Sequence, residues 1–357
     1  MKATTAVLAL PLVAFAAACI TAGSNPRVRV EVDAAEAEAV LRVAAEQAGR
    51  SVVDEATWQA LFATNGYRDL ERREEAMQRP FTDDEFRAFA TSDAVVRRRE
   101  ALRAALDAWT RYDLEASARR ALRYLPPDAR IEAVVYPLIK PKPNSFVFRT
   151  DRGRAIFLYL DPEVSGPKFE NTVVHELHHI GYASSCDGPE PSTAGQYARA
   201  YAGAFGEGFA MLAAAGSAAT HPHAASGAAE RAIWERDLAK VPEDMARLEE
   251  LFLDIASGRL ADEKAMNERA MAFVSTEDVP QGAFYTVGWH MASTIERARG
   301  RDAFVRLICD APAVMALYDE IAAGSGLPRW SEAVLAALGG AGGTPAPDGG
   351  GALPSSP

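Results

Sequence analysis

The sequence predicts an α+β fold that is predominantly α-helical, with a small sheet packed beside a helix that carries an H-E-x-x-H motif. Helical periodicity prevails from residue 32 to about 125 and again from 163 to about 338. Three short strand-like runs lie between these two stretches. The 357 residues are 48% hydrophobic and 24% charged, which is the composition of a globular protein with a substantial core.

Residues 1–18 predict a signal peptide. One lysine precedes an apolar run over residues 6–18, which is too short to cross a bilayer comfortably. The alanines before Cys19 resemble a bacterial lipobox, with Ala16 where leucine is usual, so Cys19 is a predicted lipidation site. The alternative is a plain secretory signal cut in the same alanine run. We expect an exported, membrane-anchored lipoprotein of the cell envelope, with residues 19–30 as a linker.

Residues 31–128 predict an N-terminal helical region. Candidate helices cover residues 35–48, 54–63, 68–77, 95–109 and 114–125. The run Thr64-Asn65-Gly66-Tyr67 predicts a turn. After Pro80, the pattern from Thr82 to Glu85 predicts a capping box that opens another helix.

Residues 129–338 predict the domain that carries the chemistry. Strands are predicted at 131–136, 145–148 and 155–160, and helices at 169–182 and 196–215. Residues 339–357 are rich in Gly, Pro and Ser, which predicts a disordered tail.

The stretch His175-Glu176-Leu177-His178-His179 is the H-E-x-x-H motif. Residues i and i+4 share a helix face, so His175 and His179 are predicted to bind one Zn²⁺ ion. Glu176 is the predicted general base, because it can take a proton from a water that the ion acidifies. His178 lies off this line and is expected to flank the site. The alternative is a chance motif on a solvated helix.

The third ligand is predicted to be Glu207, in the run Gly206-Glu207-Gly208 of the next helical stretch. Glycines are poor helix formers, so the flanking pair predicts a close approach to the metal helix. The rival donors lie in the loop His221-Pro222-His223. Asp187 and Glu190, in the intervening loop, are weaker candidates.

Amide hydrolysis also needs a donor for the oxyanion, and Tyr285 is the predicted one, early in a predicted helix with Gly288 one turn later. The alternative is that Tyr285 is an ordinary core residue, and His290 is the second candidate donor. The strand over residues 144–148 either pairs with an extended substrate or is an ordinary sheet strand.

These motifs resemble those of the gluzincin metallopeptidases, in which H-E-x-x-H is followed by a glutamate on the next helix. The run from Lys140 to Val147 is similar to the segment before the motif in uncharacterised zinc-dependent proteases of bacterial lipoproteins. The resemblance implies a gluzincin-like catalytic core, with His175, His179 and Glu207 as zinc ligands and Glu176 as general base. Gly206 stands where the aminopeptidase branch has asparagine. Met211 stands where thermolysin-like enzymes have an acidic residue.

Formal net charge is -11 without a basic block, so nucleic acid is not an expected partner. We expect a peptide or protein substrate, and membrane contact only through the lipid. Cys186 and Cys309 form either a disulfide or two separate buried thiols. The interpretation is a zinc-dependent metallopeptidase; the alternatives are a helical binding lipoprotein with a structural or inactive zinc site, and a zinc hydrolase of a non-peptide amide.

Overall fold

The computed structural model describes residues 27–49, 52–186, 188–276 and 279–339. The predicted signal peptide, Cys19, and residues 340–357 of the predicted tail lie outside the described residues. The strands are β1 Val28–Val32, β2 Ile131–Leu138, β3 Phe146–Thr150 and β4 Gly153–Tyr159. The helices are α1 Ala35–Ala48, α2 Glu55–Phe62, α3 Asn65–Ala76, α4 Asp83–Ala90, α5 Asp93–Trp109, α6 Leu114–Leu122, α7 Gly166–Cys186, α8 Ala194–Ala202, α9 Gly206–Ala215, α10 Ala228–Leu238, α11 Val241–Ala256, α12 Glu263–Met271, α13 Ala283–Arg299, α14 Arg301–Val305, α15 Ala311–Ala323 and α16 Glu332–Gly339. The predicted α+β class is confirmed.

The sheet has the strand order β1-β2-β4-β3. β1 and β4 both run parallel to β2, and β3 pairs antiparallel with β4 at one edge. The prediction of a linker over residues 19–30 is wrong at its end, because Val28 begins β1 and pairs with Ile131. The alternating run from Val28 to Val32 is a strand pattern, and the parallel partner that stabilises it lies about a hundred residues later in the chain.

The sheet lies between two helical layers. Gly66 of α3 packs against Tyr136 and Leu138 on one face of β2. Gly181 of α7 packs against Ile131 on the other face, because successive side chains of a strand alternate. The metal-motif helix therefore covers one side of the sheet and the N-terminal helices cover the other.

Helix starts follow the capping residues. Thr82 and Glu85 form the predicted capping box at the start of α4. The predicted turn over residues 64–67 is wrong: Thr64 is the N-cap of α3, and its hydroxyl accepts a hydrogen bond from the Tyr67 amide at 3.3 Å. Threonine and asparagine favour both turns and helix starts, so the sequence pattern does not separate the two structures.

The helical run predicted over residues 196–215 is interrupted. Thr193 and Gln196 form a capping box that starts α8, and a single 3-10 turn at Gly203–Phe205 separates α8 from α9. This break places Glu207 in the first turn of α9 rather than in the middle of a long helix.

One hydrophobic core runs through the described residues from Val28 to Leu338 and crosses the predicted boundary at residues 128 and 129. Cys186, the last residue of α7, forms a disulfide with Cys309 between α14 and α15. Of the two alternatives for these cysteines, the disulfide is therefore the one present. Among the described residues, no helix is both long and apolar enough to cross a membrane.

Candidate metal centre

His175 and His179 lie on one face of α7, one helical turn apart. The opposite side of this helix is buried through Val173, Val174 and Leu177, which anchor α7 in the core. The two Nε2 atoms are 3.0 Å apart. Burial of the apolar side thus orients both imidazoles toward a common point.

Glu207 reaches the same point from the first turn of α9. Its Oε2 atom is 3.2 Å from His175 Nε2 and 3.1 Å from His179 Nε2. The side chains of His175, His179 and Glu207 are 13%, 26% and 16% exposed, so the cluster is shielded yet accessible from solvent. In the described part of the chain, these three residues are the one group of His, Cys, Asp and Glu side chains arranged to hold a metal ion.

The donor set fits zinc. Bonds of about 2.0–2.2 Å in a tetrahedral arrangement hold neighbouring ligand atoms about 3.3 Å apart, close to the three separations observed. The cluster also favours a positive charge. Burial lowers the pKa of His179, but the charge and hydrogen bond of Glu207 outweigh burial and raise that pKa to about 9. Burial raises the pKa of Glu207, but the two histidines hold it well below its usual range.

Glu176 follows His175 directly on α7 and is half-buried. Burial raises the pKa of its carboxyl group, and the nearby His175 and His179 oppose that rise. A carboxylate with a raised pKa is a better proton acceptor near neutral pH than an exposed one.

The glycines beside Glu207 do not have the predicted partner. A Cβ on Gly208 would lie 2.1 Å from the Trp289 amide nitrogen and 2.5 Å from the Tyr285 carbonyl oxygen, so the close approach is to α13 and not to α7. Gly288 is the reciprocal residue, and a Cβ there would lie 2.6 Å from the Phe205 carbonyl oxygen. A Cβ on Gly206 would meet no neighbouring atom within 4 Å. The α9–α13 crossing is therefore what needs glycine.

This crossing brings Tyr285 next to the cluster. Tyr285 lies in the first turn of α13, and its ring is nearly parallel to the His175 ring, with 6.1 Å between the ring centroids. The position agrees with the predicted neighbourhood of the metal, while a role in oxyanion binding stays a prediction.

The other histidines lie elsewhere. His178 is fully buried in the core, where burial lowers its pKa well below the usual value. The Nε2 atom of His290 lies 3.1 Å from the Tyr318 hydroxyl, toward α15. His223 Nε2 lies 2.7 Å from Gln281 Oε1, and His221 Nε2 lies 3.9 Å from Glu235. Neither His221 nor His223 belongs to the three-residue cluster.

The two weaker loop candidates also fall outside the cluster. Glu190 is exposed in the loop before α8. Asp187 lies outside the described residues.

Arg120 of α6 is a residue that the sequence did not single out. Its guanidinium donates to Glu170 of α7 at 3.3 Å and to the Ala214 carbonyl at the end of α9. It therefore links the two helices that supply the ligands. No local pattern signals this role, because both partners are distant in the chain.

Comparison with known proteins gives one match. A family model described as "Putative zinc dependent peptidase (DUF5700)" matches residues 58–325, well over half of the chain. The matched region contains all three residues of the cluster, Glu176 and Tyr285. No match was found among curated proteins or among solved structures.

Proposed function

This chain belongs to the DUF5700 family, and from that premise we propose that it is an exported zinc-dependent peptidase that hydrolyses peptide bonds with His175, His179 and Glu207 as zinc ligands. The observation that carries this proposal is the convergence of two imidazole nitrogens and one carboxylate oxygen, 3.0–3.2 Å apart, with Glu176 beside them. A site with three protein ligands leaves a position open for chemistry, which is typical of catalytic zinc.

Zinc, when bound, supplies a Lewis acid that makes water a stronger acid and polarises the carbonyl group of the substrate. The Glu176 carboxylate accepts a proton from the attacking water and later returns it to the leaving amine nitrogen. Its raised pKa suits both steps, because the group must bind the proton and then release it.

Tyr285 is positioned for a third role in this proposal. Its ring is nearly parallel to the His175 ring, with 6.1 Å between the centroids, and we propose that its hydroxyl reaches the carbonyl oxygen on which negative charge builds. Donation of that O–H hydrogen bond would stabilise the charge. Strand β3 forms an edge of the sheet, so an extended peptide can add to it through backbone hydrogen bonds.

Export is supported by the Cys186–Cys309 disulfide, because disulfides persist in oxidising compartments and are rare in the cytosol. Lipid attachment at Cys19 is proposed from the sequence alone. Replacing Cys19 with serine is expected to release the protein from the membrane fraction.

The function is tested with purified protein, zinc and a peptide library, with cleavage products identified by mass spectrometry. We expect cleavage that a chelator abolishes and that added zinc restores. Glu176→Gln keeps the side-chain shape and both histidines, so zinc content is expected to stay the same while the rate falls by about a hundredfold or more. Equal cleavage by the parent and Glu176→Gln would contradict the mechanism. Bound zinc with no cleavage of any peptide would favour a binding protein or a hydrolase of another amide.

A further inference from the structure

The loop between α9 and α10, residues 217–226, contacts α7 and the segment just before α13. We call it the HPH loop after His221-Pro222-His223. The Asn171 amide of α7 donates to the Pro222 carbonyl at 3.2 Å. Gln281 lies just before α13, and its Oε1 atom is hydrogen-bonded to His223 Nε2 at 2.7 Å. Its amide nitrogen donates to the Met211 sulfur of α9 at 3.5 Å.

Each contact lies four residues from a residue of the candidate site. Asn171 precedes His175, Met211 follows Glu207, and Gln281 precedes Tyr285. In a helix, four residues is about one turn. The HPH loop thus contacts α7 about one turn before His175 and contacts Gln281 just before the helix that carries Tyr285. Gln281 in turn contacts α9 about one turn after Glu207.

The hydrogen bond between Gln281 and His223 has a defined direction. The Gln281 amide nitrogen donates to Met211 Sδ, so its oxygen faces His223 and can only accept. His223 Nε2 must therefore carry the proton. In the neutral ring Nδ1 is then an acceptor, and it lies 3.2 Å from the Ser226 hydroxyl, which also interacts with Glu230. Burial lowers the pKa of His223, which agrees with a neutral ring.

Aromatic packing joins this arrangement to α13 a second time. The His223 ring lies 5.2 Å from the Trp234 ring, and Trp234 lies edge-on to Trp289 at 5.8 Å. Trp289 is the residue whose amide faces Gly208 at the α9–α13 crossing. His223 therefore contacts Gln281, just before the helical segment that holds Tyr285, and is linked to Trp289, after Tyr285 in that segment, through Trp234.

We propose that His223 is a positioning residue, which holds Gln281 through its Nε2 proton and thereby fixes Tyr285 beside His175. It binds no metal and touches no substrate in this role. The expected effect of His223 on turnover rests on the proposed function. Its expected effect on the position of the Tyr285 side chain does not.

The test compares two substitutions of similar size. The amide nitrogen of glutamine reaches the place of Nε2, so His223→Gln keeps the donor to Gln281. Asparagine reaches only the place of Nδ1, so His223→Asn loses it. The Tyr285 ring resonance, followed by NMR with labelled tyrosine and assigned with Tyr285→Phe, is expected to shift in His223→Asn and to stay in place in His223→Gln. Zinc content is expected to be unchanged in both.

Turnover gives an independent measurement. In His223→Asn we expect kcat to fall by about tenfold to a hundredfold with little change in KM, since a small displacement of a catalytic group is enough for that loss. The double variant with Tyr285→Phe is expected to be no slower than Tyr285→Phe alone, because both changes remove the same contribution. The inference would be overturned if the double variant were slower than Tyr285→Phe by the same factor that His223→Asn alone costs. It would also be overturned if the Tyr285 resonance did not shift in His223→Asn. If the parent cleaves no peptide, the proposed function fails, and the resonance alone decides whether His223 positions Tyr285.

Discussion

Glu36 of α1 is a fully buried acid on the face of the sheet opposite α7. Its Oε2 atom accepts a hydrogen bond from the Ile139 amide at 3.1 Å. Burial raises its pKa to about 8, although this hydrogen bond and the charge of Lys140 oppose the rise. The residue therefore makes the stability of the protein depend on pH, at a place remote from the metal centre.

The sign of that dependence follows from proton binding. Because the pKa is higher in the folded state than in the unfolded state, the folded state holds more protons between about pH 4.5 and 8, and stability falls as pH rises through that range. The lowered pKa of Lys140, about 7, acts in the opposite direction above that pH. His178 and His223, whose pKa values burial lowers, act in the opposite direction within the same range. The contribution of Glu36 is therefore measured as the difference in slope between the parent and Glu36→Gln from pH 5 to 7.

Glu36→Gln is expected to remove a slope of up to about 1.4 kcal/mol per pH unit in the free energy of unfolding over this window. Urea denaturation at several pH values measures it. Glu38→Gln, at an exposed position of the same helix, is the matched control and should leave the slope as it is. A slope in Glu36→Gln equal to that of the parent would show that Glu36 does not contribute to it.

At the scale of elements, the α9–α13 crossing determines the site, since it fixes Glu207 and Tyr285 relative to each other. Gly208→Ala places a Cβ 2.1 Å from the Trp289 amide nitrogen, so the helices must separate. We expect a loss of stability on the order of 2–3 kcal/mol together with weaker zinc binding, because Glu207 is the adjacent residue. Chemical denaturation and zinc titration measure the two effects.

Gly206→Ala is the control for this prediction. It lies in the same turn, with no neighbouring atom within 4 Å of the added Cβ. Alanine favours helix over glycine by up to about 1 kcal/mol, so this variant is expected to be as stable as the parent or slightly more stable. Equal destabilisation by both substitutions would show that the crossing is not what requires glycine.

The elements also show what a sequence can predict. The bounds of α1 and the capping box at Thr82 follow from local periodicity and local hydrogen bonds, and both are confirmed. The approach of Gly208 to α13 rather than α7, and the place of His223 beside Gln281, depend on contacts between distant segments. The sequence indicates that Gly208 has a close neighbour, but only the packed structure identifies it.

At the scale of the whole molecule, the Cys186–Cys309 disulfide joins the end of the metal helix to a loop 123 residues later. Because a long closed loop restricts the unfolded chain, its removal is expected to cost about 2–5 kcal/mol. Thermal unfolding with and without a reductant measures the loss. The double variant Cys186→Ser with Cys309→Ser should be less stable than the parent and insensitive to the reductant. A parent protein whose Tm is the same under both conditions would contradict this expectation.

The whole fold brings α7 and α9 together, and our central claim is that these two helices form one zinc site. The zinc content of purified protein after dialysis tests it most directly, for the parent, His175→Ala, His179→Ala, Glu207→Ala and His223→Ala. We predict one zinc per chain in the parent and in His223→Ala, and far less in the other three, because two remaining ligands hold zinc weakly. Full zinc in any of those three variants, or its loss in His223→Ala, would contradict this claim.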